Sequence, residues 1–186
     1  MSTRNASIYE NDPGSTRFDR TAPDLKTDRL VRGKCLPAVL ATIAALACAA
    51  PSASAALTPA EQALLAEVNA VRAAHGLASL RVDARLEGAA RAHSADMLRR
   101  GYFGHSGFEA RIRATGAAGP IFGENLAWGV GPAGSAAAIV RLWLRSPGHR
   151  ENLLRPGWRR VGIGAPRGVF FGYGDARVVT LDFAGR

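Results

Sequence analysis

The chain has 186 residues, 24 Lys and Arg against 15 Asp and Glu, a formal charge of +9, and 47% hydrophobic residues. That length leaves room for one domain and a leader, with apolar content enough for a core. The charge does not come as a basic run. After residue 55 there are 17 Arg, no Lys and 10 acidic residues, and the arginines pair only at Arg99-Arg100 and Arg159-Arg160, which argues against nucleic acid as a partner.

Residues 1–30 are polar and charged, rich in Asp, Arg, Ser and Thr, and read as disordered, or as an extension upstream of a true translation start near Leu30 or Val31. Residues 31–55 have the layout of a secretory signal peptide: Arg32 and Lys34, then a 16-residue apolar run from Cys35 to Ala50, then Ala53-Ser54-Ala55 as a site for cleavage before Ala56. The run falls short of the ~20 residues that span a bilayer, so no transmembrane segment is expected to be retained. Cys48, after Ala45-Leu46-Ala47, leaves a lipoprotein as a minor alternative. Both cysteines lie in this leader, so the 131 residues from Ala56 onward must hold together by packing, without disulfides.

The first helix is announced by Thr58-Pro59-Ala60-Glu61, a capping box with proline at the first helical position, followed by Leu64, Leu65, Val68 and Val71 on one face up to Gly76. A second helix follows Asp83, carries Leu86, Ala90, His93 and Met97 on one stripe, and stops at Gly101. His93 is expected to be a hydrogen-bonded core residue, and His75, at the end of the first helix, a structural one. A third helix covers about Phe108 to Ala114, and the segment Gly123 to Leu126 reads as a loop, with Asn125 bonding within it. A fourth helix starts near Ser135 and turns Ala136, Ile139, Val140 and Trp143 inward. Ser146-Pro147 then restarts a short helix with Ser146 as its cap.

From Arg160 the apolar period changes to two, giving strands over Arg160–Ala165, Gly168–Tyr173 and Arg177–Phe183, with turns at Pro166-Arg167 and Gly174-Asp175. Helices first and a small meander last make an α+β chain. Gly129-Val130-Gly131-Pro132-Ala133-Gly134 satisfies G-x-G-x-x-G, but no β-α-β unit follows it, so it does not mark a dinucleotide site. No G-x-S-x-G elbow, H-E-x-x-H helix or cysteine nucleophile stands after residue 55.

Three polar residues sit in short frames of their own: His105 in Gly101-Tyr102-Phe103-Gly104-His105, Glu124 in Gly123-Glu124-Asn125, and His149 in Ser146-Pro147-Gly148-His149-Arg150. Two histidines and a carboxylate can share a metal or exchange protons near neutral pH. The separations, 19 and 25 residues, match no metal-binding spacing, so only the fold could unite them. In this order, followed by Trp158 and Val161-Gly162-Ile163-Gly164, the frames resemble a bacterial CAP domain, of the SCP-like superfamily of cysteine-rich secretory, antigen 5 and pathogenesis-related 1 proteins, over residues 57–184.

The resemblance implies a three-layer α-β-α sandwich with a small central antiparallel sheet, the N-terminal helices on one face and the later ones on the other. It also implies a cleft lined by His105, Glu124, His149, Ser146 and Trp128. His105, Glu124 and His149 are then the candidate catalytic residues and the candidate ligands of a divalent metal such as zinc. Two departures stand out: Ser146 occupies the place of a second glutamate, and the last strand, Val178-Val179-Thr180-Leu181-Asp182-Phe183, lacks the second histidine and has Leu181 where glutamine is usual. The resemblance implies an exported, monomeric ligand-binding module for a lipid or cell-envelope component; the alternative is a metal-assisted hydrolase using the same cleft.

Overall fold

The computed structural model describes residues 56–185; the expectations for residues 1–55, extension, signal peptide and cleavage site alike, lie outside the described residues. Helix α1 spans Pro59–Ala74 and opens on the expected capping box, with the Thr58 amide donating to Glu61 Oε2 at 2.8 Å. Its last turn carries Arg72, fully buried, whose guanidinium donates to the carbonyls of Ala78 (2.9 Å) and Leu153 (2.8 Å). Helix α2, Ala84–Arg100, is capped by the Asp83 carboxylate and ended by Gly101 in the left-handed region, where glycine avoids the Cβ clash. Helices α3 (Phe108–Thr115), α4 (Ala136–Arg145) and α5 (Pro147–Leu154) follow the expected boundaries closely.

The sheet has five strands: β1 Arg81–Val82, β2 Phe122–Val130, β3 Trp158–Gly164, β4 Arg167–Phe170 and β5 Tyr173–Gly185. β5 is central, with β2 antiparallel along one edge and β3 and β4 antiparallel along the other; β1 adds a short parallel pairing to β3. Two sequence expectations change here. The Gly123–Leu126 segment is the middle of β2, not a loop, and residues of both side-chain directions are buried along it, so it shows no polar alternation. The hairpin between β4 and β5 turns at Phe171-Gly172, both at positive φ, rather than at Gly174-Asp175.

The three layers are present, but the helices divide differently from the expectation. Leu64 and Val68 of α1 share one core with Ile139, Val140 and Trp143 of α4, Leu153 of α5 and the sheet residues Val161, Ile163, Val179, Leu181 and Phe183. Helices α2 and α3 take the other face, with Leu126, Trp128, Val178 and Ala184 of the sheet. Each such fully buried Val, Leu, Ile or Phe side chain is worth roughly 1.5–3 kcal/mol of transfer free energy. Chain order therefore does not sort the helices; α1 joins the later ones because its Leu64/Val68 stripe meets that core.

Helix α2 lies directly on β3 because two glycines leave room for it. A Cβ at Gly162 would stand 2.1 Å from the Leu86 carbonyl carbon, and one at Gly164 would stand 2.4 Å from the Ala90 oxygen. Ser94 ties the same helix to the central strand β5 by donating to Thr180 Oγ1 at 2.7 Å. On the opposite face a polar tie crosses the core. Asn125 Nδ2 donates to the His149 carbonyl (3.0 Å), Asn152 Nδ2 donates to Asn125 Oδ1 (3.0 Å), and Trp158 Nε1 donates to the Asn152 carbonyl (2.7 Å). Asn125 thus has the bonding role expected of it, within a strand. Among the described residues no helix is long and apolar enough to cross a membrane.

Candidate functional site

Because side chains alternate along a strand, adjacent residues of β2 serve opposite layers. Asn125 belongs to the α4/α5 side, and Glu124 points to the α2/α3 side. There the Glu124 carboxylate, 2% exposed, is surrounded by donors. His105 Nδ1 donates to Oε1 at 2.7 Å, and the Arg111 guanidinium of α3 pairs with Oε2. His93 Nε2 of α2 stands 3.9 Å from Oε2 and 3.0 Å from the Gly104 carbonyl. Burial pushes the Glu124 carboxyl up, but the His105 hydrogen bond and the charges of Arg111 and His93 outweigh it, and the group ends below its ordinary value. Burial holds the His93 imidazole below its usual value, against the opposing pull of Glu124.

Directly across the ladder from Glu124 stands Asp182 of β5, fully buried. Burial first, and then the Glu124 charge, push its carboxyl well above the usual range. Two ionised carboxylates here would both be acceptors, and neither Asp182 oxygen has another hydrogen-bond partner. With a proton on Asp182, it becomes the donor and Glu124 the acceptor, so the pair holds one proton.

The Nδ1–H of His105 is fixed by a carboxylate that can only accept, which leaves Nε2 as the working atom of the ring. That nitrogen is buried and has no protein hydrogen-bond partner. A neutral ring presents a lone pair there, and a protonated ring presents an N–H. The next residues along the chain, Ser106 and Gly107, form part of the wall of a cleft of about 550 Å³ bounded also by His93, Asp96, Arg99, Arg100, Tyr102 and Arg111; the His105 ring is not itself in that wall. The cleft's charged lining is cationic apart from Asp96.

The expected constellation is therefore brought together only in part. His105 and Glu124 meet. His149 does not join them: it is fully buried on the α4/α5 side of the sheet, with Nδ1 2.9 Å from Ser146 Oγ. Ser146 stands at the N-cap position of α5 but makes no side-chain cap bond, its hydroxyl going to His149 instead. Both lie across the sheet from the cleft. Trp128 shares the face of Glu124 but packs two β2 positions beyond Leu126, 1% exposed, against Phe170, Phe171 and Tyr173, and does not line the cleft.

This arrangement does not fit the expected zinc site. Both Glu124 oxygens are engaged, one by a guanidinium that already supplies the positive charge, and His149 is on the wrong face. Among the described residues no three His, Cys, Asp or Glu side chains converge as metal ligands.

Arg111, Asp182 and the proximity of His93 were not anticipated. Asp182 carried a signal, an acid inside the apolar run Val178-Val179-Thr180-Leu181-Asp182-Phe183. Arg111 carried none, being one of many scattered arginines.

The family model for CAP, the cysteine-rich secretory protein family, matches residues 65–182. The protein YkwD of Bacillus subtilis is 34% identical over 110 residues, 56% of this chain and 41% of its own length. The membrane protein YlbC of the same organism is 33% identical over 117 residues, 59% of this chain and 32% of its own. The chain thus spans less than half the length of these relatives. An extracellular protein of Bacillus anthracis containing an SCP domain superposes with a TM-score of 0.56 at 25% identity, over 72% of this chain and 45% of that one. An outer surface protein of Borrelia burgdorferi gives a TM-score of 0.56 at 23% identity, over 67% of this chain and 91% of that one, a likeness of fold.

Proposed function

Since this chain belongs to the cysteine-rich secretory protein (CAP) family, we propose that it is an exported binding module that takes an anionic cell-envelope component into the cleft beside His105. The observation that carries this reading is the cationic cleft, with Arg99, Arg100 and Arg111 in its lining, beside the Ser106 neighbour of His105, whose ring is held by Glu124 and whose buried Nε2 has no hydrogen-bond partner. Arg111 anchors Glu124, Glu124 orients His105, and a ligand that uncovers Nε2 meets an acceptor for its hydroxyl when the ring is neutral, or a donor to its anionic oxygen when the ring is protonated. Preorganisation of this kind lowers the cost of ordering on binding.

Export is supported by the leader pattern of residues 31–55 and by relatives described as extracellular or as an outer surface protein. The reading places cleavage near Ala55-Ala56, with the binding domain over 57–184. Metal-assisted hydrolysis has no observation in its favour, since the ligand set it requires is divided by the sheet.

Calorimetric titration of residues 56–186 with soluble fragments of peptidoglycan, teichoic polymer and anionic lipid tests the proposal. Binding of one class is expected, weakened at least about tenfold by His105→Ala, the loss of a hydrogen bond to a charged group. Absence of binding by every fragment, or binding indifferent to His105→Ala and Arg111→Ala, overturns it.

A further inference from the structure

The two large hydrophobic side chains exposed among the described residues, Val169 (70%) and Phe171 (52%), stand on one hairpin, at the end of β4 and in the turn to β5. Phe171 has φ 48°, a conformation that an L-residue with a bulky side chain adopts only under strain, and glycine would fit there without it. Packing explains only part of this. The Phe171 ring lies 4.3 Å from Phe170 and 5.8 Å from Trp128, yet half of it faces solvent.

Basic side chains flank this apolar tip. Leu98, in the last turn of α2, packs at Gly168, where an added Cβ would stand 2.8 Å from it. The next residues of the same helical turn, Arg99 and Arg100, are 70% and 67% exposed at their side chains. Arg167 opens β4 itself. Their partners are Asp96 and Asp175, in exposed ion pairs of the kind that exchange readily for other anions. Residues 56–186 as a whole carry a formal charge of +7.

We propose that the β4–β5 hairpin is a membrane-docking tip, with Val169 and Phe171 entering the headgroup region of an anionic lipid surface while Arg99, Arg100 and Arg167 contact its phosphates. Charge complementarity selects this occupant. Strand addition by a protein partner is disfavoured, because β4 has only four residues, begins with an arginine and pairs in irregular register, which makes a poor template. Docking in this orientation turns the Arg99–Arg100 rim of the cleft toward the bilayer. The proposal shares Arg99 and Arg100 with the rim of the cleft but rests on the exposed Val169 and Phe171 of the hairpin, and stands without ligand binding at His105.

Sedimentation of residues 56–186, the segment that holds the core described above, with vesicles tests it. Binding is expected to vesicles of equal parts phosphatidylglycerol and phosphatidylcholine, not to phosphatidylcholine alone, and to weaken at high salt. The double substitution Val169→Ser, Phe171→Ser should lower partition at least about tenfold. Because Phe171 also covers Trp128, the single Val169→Ser variant is included, with a loss of about threefold expected and no neighbour disturbed. Equal binding by wild type and both variants, or no vesicle binding at all, overturns the proposal. So does a wild-type dimer that the double variant dissolves, which would assign the tip to a second copy.

Discussion

Replacing Asp182 with Asn tests the shared proton at the centre of the site. Asparagine keeps the shape and can still donate a hydrogen bond to Glu124 across the ladder, but needs no proton to do so. An unfolded aspartate titrates near 3.9, whereas folding raises the Asp182 carboxyl well above that, first by burial and then by the Glu124 charge. Between those two values the native state binds one proton more than the unfolded state, so wild-type stability falls as pH rises. The slope is about 1.4 kcal/mol per pH unit for one proton. Glu124 and His93 are both lowered by folding and contribute the opposite trend: each adds stability above its unfolded value that is lost as pH falls. Those contributions are common to both proteins and largely cancel in the difference. Urea denaturation of residues 56–186 and Asp182→Asn from pH 5 upward should therefore show the variant gaining on the wild type by about 1.4 kcal/mol per unit, until the folded value of Asp182 is passed. A difference that does not change with pH, or one that favours the wild type increasingly, would refute the one-proton pair.

Gly162→Ala should cost about 3 kcal/mol or more, because its Cβ would meet the α2 backbone at 2.1 Å and backbone cannot rotate away. Gly88→Ala, on the exposed side of the same helix with nothing within 4 Å, should stabilise by up to about 1 kcal/mol, and urea midpoints report both. Ser146→Ala removes the bond to His149 and should lower stability by about 1 kcal/mol while leaving ligand affinity at the cleft unchanged, as calorimetry on one preparation can read.

The sequence made the helices legible because each is marked chemically. The Thr58/Glu61 box, the Asp83 cap and the Gly101 stop fix local ends that tertiary packing does not move. β2 was not legible because burial on both faces removes the alternation that identifies a strand, and its Gly123 and Gly129 suggest turns. His105 and Glu124 were found through short frames. The misplacement of His149 has a physical origin: a frame identifies a residue but not a side of the sheet, and Asn125, next to Glu124, holds the α5 backbone on the opposite face. Arg111 and Asp182 reach Glu124 through α3 docking and strand register, which no local pattern encodes.

The central claim, a His105 ring held by Glu124 with Nε2 turned to a ligand, is tested most directly by long-range proton–nitrogen spectra of histidine-labelled residues 56–186. The account predicts a proton on His105 Nδ1 in the free protein and a shift of the His105 Nε2 resonance when a binding envelope fragment is added, with His149 unmoved. A proton on Nε2 alone, or a ligand that shifts His149 and leaves His105 where it was, would contradict it.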